Sequence, residues 1–199
     1  MNAILRINAL ALLVGGVGIL PTTGCGSDAD LATNKGEQVQ QVSEALMAES
    51  QSELAPSNFY YVRAKHSGKC LHQSGATFGN GDPITQWECV DQPNVQWEFV
   101  ASPDPGSYFI KVRHSGKCAH QLGWTFNNGD PIAQWDCINQ DNVKWRLIPA
   151  SGGYYYIQVQ HSGKCLHQSG ATFGNGDPIT QWDCINQPNV LWALDPVGH

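Results

Sequence analysis

No run of Lys or Arg occurs anywhere in the 199 residues; charged side chains make up only 14% of them and the net charge is −6. Proteins that hold nucleic acid by neutralising phosphates display a basic patch or stripe, and its lack argues against a nucleic-acid partner. Long apolar runs are scarce too: the single one, Ile7 to Leu20, covers about 14 residues, short of the roughly 20 that a helix needs to cross a bilayer. After Ser57 no segment sustains a helical period, which removes a helical core. Also missing is any nucleophile set beside a base. The only repeated carboxylates are Asp82, Asp130 and Asp177, each before a Pro in a turn, and Glu88, Asp136 and Asp183, each beside a Cys. None pairs with a reactive group, so no enzyme is expected and no cofactor.

What is present begins with an export signal: Arg6, the apolar stretch, then Pro21-Thr22-Thr23-Gly24-Cys25. A small residue followed directly by Cys resembles a bacterial lipobox, in which the Cys is lipidated and becomes the new N-terminus. Thr22 stands where that box usually has Leu, so ordinary cleavage and secretion is the alternative. Ser27, second after Cys25, resembles an outer-membrane sorting signal. The expected organisation is a lipoprotein-type signal over 1–24, lipidated Cys25 with a polar tether over 25–57, and one folded domain over 58–199. The tether, which has no Trp or Tyr after Cys25, has too few apolar residues to build a core. The expected location is a membrane, outer membrane or cell surface, reached through the lipid anchor.

Of seven Cys, six remain once Cys25 is set aside: 70 and 89, 118 and 137, 165 and 184, always 19 apart. In an exported chain this regularity reads as a disulfide framework, one bridge per unit, each worth about 3 kcal/mol. A zinc site built from His66, Cys70 and His72 is the weaker reading, because such a Cys has its partner 19 residues on.

Those units are copies of one another. His66 to Val95 and His161 to Val190 agree at 27 of 30 positions, and His114 to Val143 agrees with the third copy at 24. Periods of this size mark repeat architectures. Each unit reads as four short strands: Tyr61 to Lys65 and its equivalents Phe109 to Arg113 and Tyr156 to Gln160; then Cys-x-His-Gln; then Pro-Ile-x-Gln-Trp-x-Cys; then Asn-Val-x-Trp. Between the second and third, Asn80-Gly81, Asn128-Gly129 and Asn175-Gly176 supply a positive-φ turn. Three units of about 47 residues give twelve strands and an all-β domain.

Ser-Gly-Lys-Cys, Asn-Gly, Trp-x-Cys and Asn-x-x-Trp, met three times in register from Phe59 to about Pro196, resemble the ricin B-type lectin domain. The resemblance implies a β-trefoil, whose three repeats close around a pseudo-threefold axis because one unit alone cannot bury its apolar face. It also implies a partner, a glycan or polysaccharide. In that family each sugar site resembles a shallow pocket between a polar residue two after the first Cys, an aromatic two before the second, and the Asn of the last strand. Here those are His72, Trp87 and Asn94; His120, Trp135 and Asn142; and His167, Trp182 and Asn189. An aromatic face accepts the C–H side of a sugar, and amides fix its hydroxyls.

The chain departs from the family at two positions. The family usually has Asp where His72 stands, and a neutral imidazole cannot accept from two neighbouring hydroxyls. It usually has Gln where Val95, Val143 and Val190 stand. Trp97, Trp145 and Trp192 are expected in the core, His66, His114 and His161 in turns. Gln86, Gln134 and Gln181 should form a buried layer with Gln73, Gln121 and Gln168, bonding one another. The second repeat has drifted at Leu122, Trp124, Asn127, Ala133 and Asp141. The competing expectation is a protein-interaction or inhibitor-type trefoil without sugar binding, which would work through an exposed loop; the loops between repeats, Ala101 to Ser107 and Ala150 to Gly153, are short and unremarkable in composition, which favours the glycan reading.

Overall fold

The computed structural model describes residues 59–198. The expected signal, Cys25 and tether lie outside the described residues. Within them every element is a strand or a single 3₁₀ turn. The first repeat contributes β1 (Tyr60–Ala64), β2 (Cys70–Gln73), β3 (Ile84–Trp87) and β4 (Trp97–Ala101); the second β5 (Tyr108–Val112), β6 (Cys118–Gln121), β7 (Ile132–Trp135) and β8 (Lys144–Pro149); the third β9 (Tyr155–Val159), β10 (Cys165–Gln168), β11 (Ile179–Trp182) and β12 (Trp192–Pro196).

Antiparallel pairing runs β1 to β4, β4 to β5, β5 to β8, β8 to β9, β9 to β12 and β12 back to β1. This is a closed six-stranded barrel, and closure leaves it no open edge. The other six strands form the hairpins β2–β3, β6–β7 and β10–β11, which meet through the bridges Pro83 to Ala133, Thr85 to Pro178 and Pro131 to Thr180. A barrel capped by a hairpin triplet is the β-trefoil.

The core repeats with the same symmetry. Val62, Ile110 and Ile157; Ala64, Val112 and Val159; Leu71, Ala119 and Leu166; Ile84, Ile132 and Ile179; and Trp97, Trp145 and Trp192 are all buried in one cluster. Each Trp indole finds a partner at depth: Trp97 Nε1 donates to the Leu71 carbonyl at 2.8 Å, and Trp145 and Trp192 do the same to Ala119 and Leu166 at 2.9 Å. Burying a ring of that size with its one donor satisfied ties β4 to β2 inside each unit. Disulfides join Cys70 to Cys89, Cys118 to Cys137 and Cys165 to Cys184, one in each repeat.

Three details differ from the sequence expectation. The first strand of each repeat begins one residue earlier than its alternation suggested. Asn94-Val95 and Asn189-Val190 belong to 3₁₀ turns opened by Pro93 and Pro188, whose fixed φ favours that start, and the last strand begins only at the Trp. The hairpin turn is not an Asn-Gly dipeptide with both residues left-handed: Gly81, Gly129 and Gly176 alone take φ near +90°, and the loop from Ser74 to Pro83 includes a second left-handed pair, Gly75 and Ala76.

The buried Gln layer is also built differently. Gln134 does not bond another Gln; its Oε1 accepts from Ser115 Oγ at 2.7 Å, and its Nε2 reaches the carbonyls of Thr77 and Gly79 and the Asp82 carboxylate in the preceding repeat. Gln181 reads the loop of the second repeat in the same way, and Gln86 that of the third. Gln73, Gln121 and Gln168 donate instead into their own loops, to the carbonyls of Ser74, Leu122 and Ser169. A loop full of backbone carbonyls needs donors, and the amide nearest in space comes from the next repeat.

Candidate functional site

Each β2–β3 type hairpin turns one face inward, with Leu71, Gln73, Ile84 and Gln86, and the other outward. Register places Cys70 opposite Trp87 and His72 opposite Thr85 on that outward face. The 3₁₀ turn before β4 then brings Asn94 over the same hairpin, so residues 72, 87 and 94 meet. The equivalents meet in the other two repeats, which is the grouping the sequence suggested.

The contacts within the group define a protonation state. Asn94 Nδ2 donates to the Gln73 carbonyl at 3.2 Å and to His72 Nε2 at 2.9 Å. The first of these bonds fixes the orientation of the amide, so Nε2 must be the acceptor and the proton sits on Nδ1. That Nδ1–H donates to Thr85 Oγ1 at 2.9 Å. The third repeat repeats the pattern with Asn189 at 2.8 Å and Thr180 at 2.9 Å. Burial pushes the His72 imidazole below its ordinary pKa and takes His120 and His167 down to about 4. Protonation would also aim a second N–H at an amide N–H, so these imidazoles are neutral near pH 7.

The imidazole therefore plays a different part from the carboxylate it replaces. Both nitrogens of His72 are engaged inside the protein, and the ring lies against Trp87 with centroids 5.0 Å apart and planes 31° apart. His120 with Trp135, and His167 with Trp182, are arranged alike at 5.2 and 5.0 Å. His and Asn are buried, whereas Trp87 is 38% exposed and Trp135 and Trp182 are half-buried. The imidazole braces the indole and orients the Asn.

The three sites are not identical. In the second, Ala133 stands where Thr85 and Thr180 stand, so His120 Nδ1 is buried without a partner, and so is Asn142 Oδ1. The first differs at its rim. Asn80 Nδ2 donates to Asp136 Oδ2 at 2.8 Å and Asn80 Oδ1 accepts from the Asp136 backbone at 3.1 Å; Asn128 and Asp183 form the same clasp. Lys117 and Lys164 bind those carboxylates at 2.6 Å. Glu88 replaces Asp in the first repeat; its nearest cation, Lys69, is 3.9 Å away, and no clasp joins it to Asn175 among the described residues.

Each clasp shows that the neighbouring repeat helps to build the site. A Cβ added to Gly81 would lie 3.7 Å from Trp135 Cζ3, so the first repeat's loop forms one wall beside the second repeat's indole. The sequence reading missed both this wall and the Thr behind the imidazole. The Thr was discoverable, because His72 and Thr85 are equidistant from the hairpin's tip; the wall requires knowing which repeat follows which around the axis. Among the described residues no group of three His, Cys, Asp or Glu could hold a metal ion.

A β-trefoil bearing three Trp, imidazole and Asn groupings on its outward hairpin faces belongs with the lectin-type trefoils. The model of the family described as "Ricin-type beta-trefoil lectin domain-like" matches residues 49–135, 93–182 and 141–199, and the chain belongs to that family. Among solved structures, the designed threefold-symmetric protein ThreeFoil is 30% identical, with a TM-score of 0.68 over 70% of this chain and 99% of its own. The exo-β-1,3-galactanase 1,3Gal43A from Clostridium thermocellum is 26% identical with a TM-score of 0.68; 73% of this chain aligns with 32% of that enzyme. The ricin B-like lectin of Macrolepiota procera, solved with lactose, shares the fold at 17% identity and a TM-score of 0.62, over 73% and 100% of the two chains. A comparison with curated protein sequences finds no match.

Proposed function

We propose that this protein is a carbohydrate-binding, lectin-like module with three glycan sites, at His72, Trp87 and Asn94, at His120, Trp135 and Asn142, and at His167, Trp182 and Asn189. The observation that carries this reading is the indole of each site, held at the surface by a buried neutral imidazole that hydrogen-bonds to Asn in the same pocket. A braced aromatic face suits the C–H side of a pyranose, and the Asn Oδ1, left over once Nδ2 has bonded the imidazole and the Gln carbonyl, is an acceptor for a hydroxyl. The imidazole acts through its neighbours here, a role that accounts for a His in place of a sugar-accepting carboxylate. Binding is the function, and no chemistry on the sugar is assigned.

Single shallow pockets bind weakly, and three pockets related by a threefold axis gain by avidity on a polymer or a glycan-coated surface. Export, lipidation at Cys25 and anchorage in an outer membrane or at the cell surface complete the proposal and would multiply that effect. It rests on the signal-like stretch ending in Gly24-Cys25. A polysaccharide pull-down or glycan array on the purified protein tests the binding, with retention expected on at least one polymer. The variant carrying Trp87→Ala, Trp135→Ala and Trp182→Ala should stay folded and lose at least tenfold in affinity; unchanged retention would place the sites elsewhere. Incorporation of labelled fatty acid, abolished by Cys25→Ser, tests the anchor.

A further inference from the structure

The loop joining β6 to β7 differs from its two counterparts, and the differences fall together. At the position of Ala76 and Ala171 it carries Trp124; at the position of Gly79 and Gly174 it carries Asn127. Trp124 is 47% exposed and Phe126, two residues on, is 61% exposed. Both rings pack on the imidazole of His161 in the third repeat, with centroids 4.6 Å and 4.4 Å away.

Folding does not require this indole. Ala76 and Ala171 hold the same left-handed backbone, φ +48° and +46°, as Trp124 does at +52°. A bulky residue is a poor occupant of that conformation, and this one places its ring at the surface instead of in the core. Phe78 and Phe173 pair with His114 and His66 at the other two junctions, so the single Phe on His is a feature of the fold. The second aromatic and the added amide belong to this loop alone.

The same loop borders a pocket. Asn128 clasps Asp183, the residue after Trp182, and a Cβ added to Gly129 would lie 4.0 Å from Trp182 Cζ3. The Asp183 carboxylate on that rim is ion-paired with Lys164 at 2.6 Å, and the Asp130 carboxylate is turned into the loop, accepting from the Asn127 backbone N–H at 2.9 Å and from Gln181 Nε2 at 3.1 Å. Exposed indole and phenyl rings, an exposed amide and a rim whose carboxylates are engaged fit an uncharged polyhydroxylated ring with an apolar face.

We propose that Trp124, Phe126 and Asn127, braced by His161, form a fourth glycan-binding platform that stacks a sugar unit of the same chain whose neighbouring unit occupies the third pocket. This rests on the glycan-binding reading above. It makes the junction between the second and third repeats an extended, two-unit site, while the other junctions hold one unit each. Bracing both rings on one imidazole fixes them before the ligand arrives, which lowers the entropy lost on binding.

The test uses affinity electrophoresis of the purified protein in native gels containing a soluble β-galactan, a xylan or a β-glucan. Trp124→Ala, which restores the residue found at the equivalent positions, should fold and lose at least fivefold in affinity for the polymer that retards the wild type. Ala76→Trp should build a second platform beside the second pocket and tighten binding. Wild-type retardation of Trp124→Ala, with binding lost in the variant lacking Trp87, Trp135 and Trp182, would overturn the platform and leave the pockets standing. The opposite pair of results would overturn the pockets and keep the platform, and a wild type retarded by none of the polymers would overturn both.

Discussion

Gln134 Nε2 lies 3.0 Å from Asp82 Oδ2, a residue 52 positions earlier in the chain and in a different repeat. The same amide serves the Thr77 and Gly79 carbonyls, and the Gln134 backbone exchanges two further bonds with Gly81 and Asp82. One residue therefore spans the seam with both its side chain and its backbone, beside the Asn80–Asp136 clasp and the Pro83–Ala133 bridge.

Removing the side chain should loosen that seam. Gln134→Ala strands the carbonyls of Thr77 and Gly79 and the Ser115 hydroxyl, a cost of roughly 3 kcal/mol, or roughly 10 °C in Tm for a domain of this size. Thermal unfolding followed by near-UV circular dichroism measures it. A Tm within 2 °C of wild type would show that the seam is held elsewhere.

The second pocket invites a stabilising substitution. Ala133→Thr supplies the hydroxyl that His72 and His167 already have, and pairs the orphaned His120 Nδ1. The expected gain is about 1 kcal/mol, with Thr85→Ala losing a similar amount. Urea denaturation midpoints of the two variants should move in opposite directions; a loss in both would mean that Ala133 is fixed by its packing on Pro83.

Acid should weaken the domain through its buried imidazoles. His120 and His167 have folded pKa values of about 4 against an ordinary 6.5. Above pH 6.5 both folded and unfolded chains carry neutral imidazoles and the stability is fully present. As pH falls toward 4 the unfolded chain takes up protons that the pockets refuse, so stability is lost, by roughly 3 kcal/mol for each imidazole once pH is below 4. Guanidinium midpoints measured between pH 7 and 4 should fall progressively, and NMR titration of the ring protons should show two imidazoles still neutral at pH 5. A flat stability profile would refute the assignment.

Reduction should also be costly. Replacing Cys118 and Cys137 together by Ser releases one closed loop and should lower stability by about 3 kcal/mol, with the remaining two bridges intact. Non-reducing peptide mapping of the wild type checks the pairing, and calorimetry of the variant checks the cost.

Much of this architecture was legible from repetition alone. Cys70 and Cys89, Trp97 and its equivalents, and the four-strand unit were all visible because each recurs at a fixed offset and has one physical use. The partners of Gln134 were not, because a repeat that contacts its neighbour looks, in sequence, like one that contacts itself. The role of His72 was half legible: the family resemblance implies its place in the pocket, but that both its nitrogens are engaged depends on Thr85 and Asn94 arriving from opposite directions. Trp124 appeared only as drift in the second copy; its meaning required seeing it exposed, beside Phe126, where Ala suffices for the fold.

The barrel closes on itself through β1 and β12, paired along their whole length, with the Val197 backbone N–H donating to the Phe59 carbonyl at 2.9 Å. The two ends of the domain are thus neighbours, and the order in which the three units are read is arbitrary. Splicing those ends and cutting instead at Ser151 would yield a circular permutant with the same three seams and the same three outward-facing groupings.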